Sequence, residues 1–342
     1  MLRISIIIVC ISAALSSCTS SEDKAADAFK AHLTIITSVG GLGDMGYNDQ
    51  ILSGTMHFYE AYDISMNLIR PNDTEEIRQV LQKWQTEAKN YEKSLLVLTG
   101  SEYENVLTES NLQLEDNQQI LIFETQNQNL PERVSSFYIN RYGASYLAGC
   151  MAKEHEAATI IAAMPGSPTL EEAIAGFSDA YRTHSQQEAK VIYLADDESG
   201  FNMADKAYQT MGDIYNAFVF PLAGGSNIGI YKYSRETSLY LPLVVGMDAD
   251  QSMQSSRIPF SMVIHIDQVV EQYLTDWLNG IPLEKHQTFG LESGIIDIAL
   301  SPVFYQNMEI WEDYYEDDNY WKNAYQNHKT EAIGKEEAYE KN

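Results

Sequence analysis

Between residues 32 and 125 short apolar runs alternate with helix-length segments, and beyond residue 157 the alternation begins again. HLTIITSV (32–39), SMNLIR (65–70), SLLVLTG (94–100) and QILIFET (119–125) have the length and β-branched content of buried strands. Between the first two, Tyr47, Ile51, Leu52, Met56 and Tyr59 recur at helical spacing and predict a helix over 47–62. A second helix is expected from Thr74 to Lys89, behind a cap at Asp73 or Thr74. Strands separated by helices join in parallel through right-handed crossovers. The second series comprises ATIIAAM (158–164), KVIYLA (190–195), NAFVFPLAGG (216–225) and LPLVVGMDAD (241–250). Its helices are expected near 142–155, 169–183, 201–213 and 227–238. The fold class is therefore α/β, with two doubly wound parallel-sheet domains joined by a hinge. A chain of 342 residues has room for two units of ~150 each.

SMVIHI (261–266), a helix over 267–279 and FGLESGIIDIAL (289–300) come last and are expected to cross back between the halves. The expected organisation is a first domain of 31–140 plus about 265–285 and a second of 141–264 plus about 286–325. A tail over 326–342 follows, its end from 329 read as solvated. The aromatics Trp311, Tyr314, Tyr315, Tyr320, Trp321 and Tyr325 argue that the chain packs on the body up to about 325. In doubly wound sheets ligands bind beyond the carboxyl ends of the strands, so two halves imply a site in the cleft between them.

Charge excludes whole classes of partner. Asp and Glu total 49 against 22 Lys and Arg, a net charge of −27. Such a surface repels nucleic-acid phosphates and anionic lipid alike. The first 17 residues, MLRISIIIVCISAALSS, run from a basic residue through an apolar core to small residues, the order of an export signal. Leu15-Ser16-Ser17-Cys18 resembles the bacterial lipobox, which implies lipidation (palmitate) of Cys18 and anchorage in the cell envelope, with 18–30 as a tether. Cys10 would leave with the signal, and Cys150 would then have no disulfide partner.

Gly41-Leu42-Gly43-Asp44-Met45-Gly46 matches a dinucleotide fingerprint, but Asp44 would set a carboxylate inside the phosphate-binding turn. Asp63 also precedes its strand, whereas a ribose-binding acid belongs at a strand's end. No cofactor is expected. No G-x-S-x-G, Walker A or H-E-x-x-H occurs, and the seven histidines show no metal-ligand spacing, so neither a metal nor catalysis is expected. Asp196-Asp197-Glu198 reads as a solvated loop. Asp248-x-Asp250 carries more weight, because it ends a fully apolar strand at the ligand edge.

Six segments in order resemble one family over nearly the whole chain: VGGLGDMGYND (39–49), YGASYLAGCMA (142–152), FVFPLAGGSNIGIY (218–231), VVGMDADQ (244–251), SMVIHID (261–267) and FGLESGIIDIA (289–299). The first resembles the G-G-x-x-D-x-(S/G)-(F/Y)-N loop of the basic membrane protein family of PnrA-like receptors, the fourth its V-I-G-V-D-x-D-Q. The resemblance implies a lipid-anchored type I periplasmic-binding fold that binds purine nucleosides, for delivery to an ABC permease and ATPase. It places Asp44, Tyr47, Asn48 and Glu124 of the first half, and Phe201, Gly224, Gly225 and Asp248 of the second, around the ligand. Two positions depart from the pattern: Ile264 stands where the family has lysine, with His265 beside it, and Glu292 stands where many relatives have lysine. Ile264 either removes a cation from the cleft or points into the core. A sensor or surface-interaction lipoprotein is the alternative function, and a nucleoside hydrolase using Asp248 and Asp250 is a remoter one.

Acids and aromatics without many fixed cations favour a neutral or cationic ligand over a nucleotide, whose phosphates would meet Asp44 and Asp248. Carboxylates supply ribose hydroxyls with hydrogen bonds of ~1.5–3 kcal/mol, and aromatic faces supply the base with ~1–3 kcal/mol.

Overall fold

A computed structural model describes residues 30–38, 41–71, 74–110, 112–215, 217–237, 242–306 and 319–341. The export signal over 1–17, Cys18 and the tether up to residue 29 lie outside the described residues, as do Trp311, Tyr314 and Tyr315.

The first half is built from β1 (Ala31–Ile36), α1 (Tyr47–Ala61), β2 (Ser65–Ile69), α2 (Thr74–Glu87), β3 (Lys93–Leu98), α3 (Glu104–Glu109), β4 (Gln118–Phe123) and β5 (Val134–Ile139). The second contains α4 (Tyr142–Met151), β6 (Ala158–Ala162), α5 (Pro168–Ser185), β7 (Lys190–Tyr193), α6 (Ala204–Met211), β8 (Phe218–Leu222) and α7 (Asn227–Glu236). It continues through β9 (Leu243–Val244), β10 (Gly246–Asp248) and β11 (Phe260–Ile264). The chain then returns to the first half as α8 (Ile266–Asn279) and β12 (His286–Phe289). It ends in the second half with β13 (Ile296–Leu300), α9 (Pro302–Gln306) and α10 (Tyr320–Tyr339).

The first sheet has the order β12-β5-β4-β3-β1-β2 and is parallel throughout. In the second half β7-β6-β8-β9 is parallel, and β10-β11-β13 follows directly, with β13 antiparallel to β11. Apolar residues cover both faces of the central strands, as parallel sheets flanked by helices require. The strand order reverses at β1 in one half and at β6 in the other, which opens a crevice at the carboxyl ends of both sheets.

Two expected boundaries move. β12 pairs with β5, so residues 286–289 belong to the first sheet and not to the second domain. The run expected over 289–300 is two strand ends separated by a crossing. The tail from 329 is not a solvated end: α10 packs on α4, with Trp321, Ala324, Ala332 and Glu336 buried. The buried stripe of α10 is small and polar as much as apolar, so no hydrophobic periodicity marks it. Trp321 lies against Phe218, Phe260 and His155, and burial pushes the His155 imidazole down to about 4.

Buried carboxylates brace the crossings between the halves. Glu172 of α5 accepts hydrogen bonds from Arg141 N (2.8 Å) and Tyr138 Oη (2.7 Å). Glu336 of α10 accepts from Gly143 N (3.0 Å) and Leu291 N (2.8 Å), and so touches two crossings at once. A Cβ on Gly290 would lie 2.2 Å from Glu336 Oε2, so only glycine admits that contact. Burial, and then the nearby Glu340 charge, push Glu336 up to about 7.

Candidate functional site: the interdomain cleft

A cavity of about 900 Å³ opens between the two sheets. Its walls are loops at strand carboxyl ends: Ser38 after β1, Thr99 after β3, Glu124 after β4, Met164 after β6, Phe201 after β7 and Gly224 after β8. Asp248, the last residue of β10, completes them. All eight positions that the family resemblance assigned to the ligand line this cavity: Asp44, Tyr47, Asn48, Glu124, Phe201, Gly224, Gly225 and Asp248. They do not present equivalent chemistry.

Asp44 is spent on its own loop. Oδ1 accepts from Gly46 N (3.0 Å) and Asp49 N (3.3 Å), and Oδ2 accepts from Asn48 N (3.0 Å) and Asn48 Nδ2 (2.9 Å). Asp49 takes Gly43 N (2.7 Å) and Met45 N (2.9 Å). These five amides are the donors that a phosphate-binding glycine loop would offer to its ligand, so the G-x-G-x-x-G match is a loop organised by its own carboxylates.

Glu124 is equally engaged. Arg141, absent from the expected site, donates to it from Nη1 (3.1 Å) and Nη2 (2.9 Å), and Tyr47 Oη donates at 2.6 Å. The guanidinium lies over the Tyr47 ring at 5.8 Å, and both charged side chains are almost enclosed. Burial disfavours the charge on Arg141, but the Glu124 carboxylate outweighs it and holds the guanidinium above its ordinary value. The cleft therefore contains a fixed cation whose charge is already matched. The signal for it is a single arginine in the otherwise uncharged FYINRYGASYLAGC (137–150), just past the end of β5, a strand that the alternation of runs did not predict.

Asp248 differs from both. Its backbone is left-handed (φ 66°), and its carboxylate accepts no hydrogen bond among the described residues. Burial, and then the adjacent Asp44 charge, push it up to about 7. Glu124, the other left-handed residue of the cavity lining apart from glycines, has φ 60°. Asp250 is exposed, caps Ser252 N at 2.9 Å and does not line the cavity, so it forms no acid pair with Asp248. Asp197 and Glu198, read as a solvated loop, do line the cavity mouth.

Gly224 has φ 53°, and a Cβ there would lie 2.9 Å from the Phe201 ring, so glycine lets the ring settle into the wall. Two glutamines reach across the cleft: Gln50 Nε2 donates to Asp248 O (2.7 Å), and Gln251 Nε2 donates to Met45 O (2.8 Å). Ile264 lies elsewhere. It is fully buried in the core, opposite Ile296 on β13, and does not line the cavity. Of the two expectations for that position, the structural one holds. Glu292 is exposed at the last crossing.

Two α/β halves joined by three crossings, with a solute-sized cleft between their strand ends, define a type I periplasmic-binding-like solute-binding protein. A family model, ABC transporter substrate-binding protein PnrA-like, matches residues 32–324, and the chain belongs to that family. An uncharacterised lipoprotein of Pyrococcus abyssi is 24% identical over 313 residues, 86% of this chain and 74% of that protein. A solute-binding protein of an Aeropyrum pernix ABC transporter system superposes with a TM-score of 0.69 at 17% identity, over 90% of each chain. A Bacillus halodurans transcriptional activator gives 0.62 at 16% identity, over 87% of this chain and 97% of its own. A Burkholderia graminis solute-binding protein in complex with D-arabinose gives 0.58 at 12% identity, over 80% of this chain and 96% of its own. The chain is accordingly a substrate-binding protein of the ABC-transporter type.

Proposed function

We propose that the cleft captures a neutral purine nucleoside and that the protein, anchored through lipid on Cys18, delivers it to an ABC permease and its ATPase. The observation that carries this reading is the Asp248 carboxylate, which accepts no hydrogen bond among the described residues. It is a strong acceptor for ribose hydroxyls, in a cleft lined by one aromatic ring from each half, Tyr47 and Phe201. Glycine-loop amides already held by Asp44 and Asp49, and a guanidinium already held by Glu124, leave little to receive a phosphate. Calorimetry with inosine, guanosine, adenosine, their 5′-monophosphates, arabinose and amino acids tests the proposal. Nucleosides should bind at least about 100-fold more tightly than their monophosphates, ~2.7 kcal/mol. Binding of arabinose with no heat from any nucleoside would refute it.

Asp248→Asn should weaken nucleoside binding by ~1.5–3 kcal/mol, the worth of a hydrogen bond to a charged acceptor. The ionised carboxylate is the better acceptor, so wild-type affinity should rise as the pH passes upward through about 7, and the Asn variant should lose that dependence. For the ligand-free protein the sign reverses. A carboxyl raised from 3.8 to about 7 stabilises the fold fully below the lower value, and that contribution disappears as pH rises through the upper one. The Asn variant should therefore be at least as stable as wild type at pH 8. A variant that binds like wild type across pH 5.5–8.5 would remove Asp248 from the site.

The anchor is tested by fractionation. Expressed in a bacterial host, the full chain should partition with membranes and Cys18→Ala should not. Soluble wild-type protein with an unmodified Cys18 would exclude the lipid.

A further inference from the structure

Outside the cavity lining, three helices of the second half bring together four side chains of metal-ligating type. They are Cys150 on α4, His184 on α5, and His328 and Glu331 on α10, and one donor atom from each lies within 4.8 Å of all the others. Cys150 is a free thiol with no solvent exposure. His184 Nε2 is buried and has no hydrogen-bond partner among the described residues, although Glu331 Oε1 lies only 3.3 Å away. His328 Nδ1 lies 3.1 Å from Glu331 Oε2, and the two imidazoles meet edge to face at 4.9 Å. A buried ring nitrogen that makes no hydrogen bond costs free energy in either tautomer, and a metal ion bound to its lone pair removes that cost. Tyr146 Oη donates to Glu331 Oε1 at 2.8 Å and orients that carboxylate from behind, as outer partners of metal ligands do.

We infer that Cys150, His184, His328 and Glu331 form a zinc site that fastens the C-terminal helix α10 to α4 and α5. One thiolate, two imidazoles and a carboxylate are a donor set for a closed, four-coordinate structural zinc. Bond lengths of ~2.0–2.3 Å place tetrahedral ligands ~3.3–3.8 Å apart, so the group needs a contraction of about 1 Å, within the reach of side-chain rotation. The Cys150 proton leaves to solvent as the sulfur–zinc bond forms, and no redox change is involved. The consequence reaches the hinge, because α10 also carries Glu336, which holds Gly143 N and Leu291 N at two of the crossings. Sequence spacing concealed the site: only His328 and Glu331, one helical turn apart, are neighbours in the chain.

The full chain, purified without a histidine tag and freed of metal by a chelator, is titrated with zinc chloride and separately with cobalt chloride. One equivalent of zinc should bind with a dissociation constant below about 1 µM, and the thermal midpoint should rise. Cobalt should give the near-ultraviolet thiolate-to-metal charge-transfer band, a signature that ion pairing among the same residues cannot produce. Cys150→Ala should abolish that band, and His328→Gln should weaken zinc by about 100-fold or more, while solute binding in the cleft is retained in both. No stoichiometric zinc, an unmoved wild-type midpoint or a cobalt complex without the thiolate band would each overturn the inference. The wild-type spectrum decides it even if a variant fails to fold.

Discussion

Arg141→Met is expected to lower the free energy of unfolding by ~3–5 kcal/mol, because it leaves the enclosed Glu124 carboxylate without its counter-charge. Arg141 and Glu124 side chains are 10% and 9% exposed, and two hydrogen bonds join them. In the variant Glu124 keeps only Tyr47 Oη and Ile139 N (3.3 Å). The guanidinium also holds Ile139 O at 2.6 Å beside the first crossing, so the damage should appear in the hinge as well. Removing both charges in Arg141→Met/Glu124→Gln should restore much of the loss, since neither partner is then a buried unpaired ion. Denaturant unfolding of the wild type, both single variants and the double variant completes the cycle. A single Arg141→Met variant within ~1 kcal/mol of wild type would show that the pair is solvated and does not organise the cleft.

Ile264→Lys is expected to cost a comparable ~3–5 kcal/mol by placing an ammonium in the core without a partner. Ile264 has no exposure and pairs with Ile296 on β13, one residue before the crossing at His265. Family-like sequence at this position invites the opposite expectation, that lysine would add a donor to the cleft and tighten binding. A melting curve with a titration separates the two. A lower midpoint without improved affinity fits the buried position, whereas a wild-type midpoint with tighter nucleoside binding would place the side chain in the cleft.

The cleft itself was largely legible. Strand runs ending in Gly, Asp or Glu mark the ligand edge of a parallel sheet, and Glu124, Gly224 and Asp248 all stand at such ends. Their chemical states were not legible. Asp44, Glu124 and Asp248 are alike as letters, yet the first is consumed by its own loop, the second by Arg141 and Tyr47, and only the third has a carboxylate that accepts no hydrogen bond among the described residues. Hydrogen-bond demand depends on which amides and guanidinium a carboxylate meets in space, and spacing along the chain does not encode that.

Local sequence by itself determined the α/β alternation, the parallel pairing and the edge of each sheet at which the cleft opens. These follow from side-chain period, helix-length connections and the handedness of the crossovers, all of them properties of short stretches of chain. Tertiary structure alone decided the rest. It placed β12 beside β5, laid α10 over the crossings through Glu336, buried Ile264 and gathered Cys150, His184, His328 and Glu331 from three helices. Each of these is a contact between residues far apart in the chain. Such contacts arise from the packing of whole faces and the pairing of buried polar groups, neither of which leaves a periodic mark on the sequence.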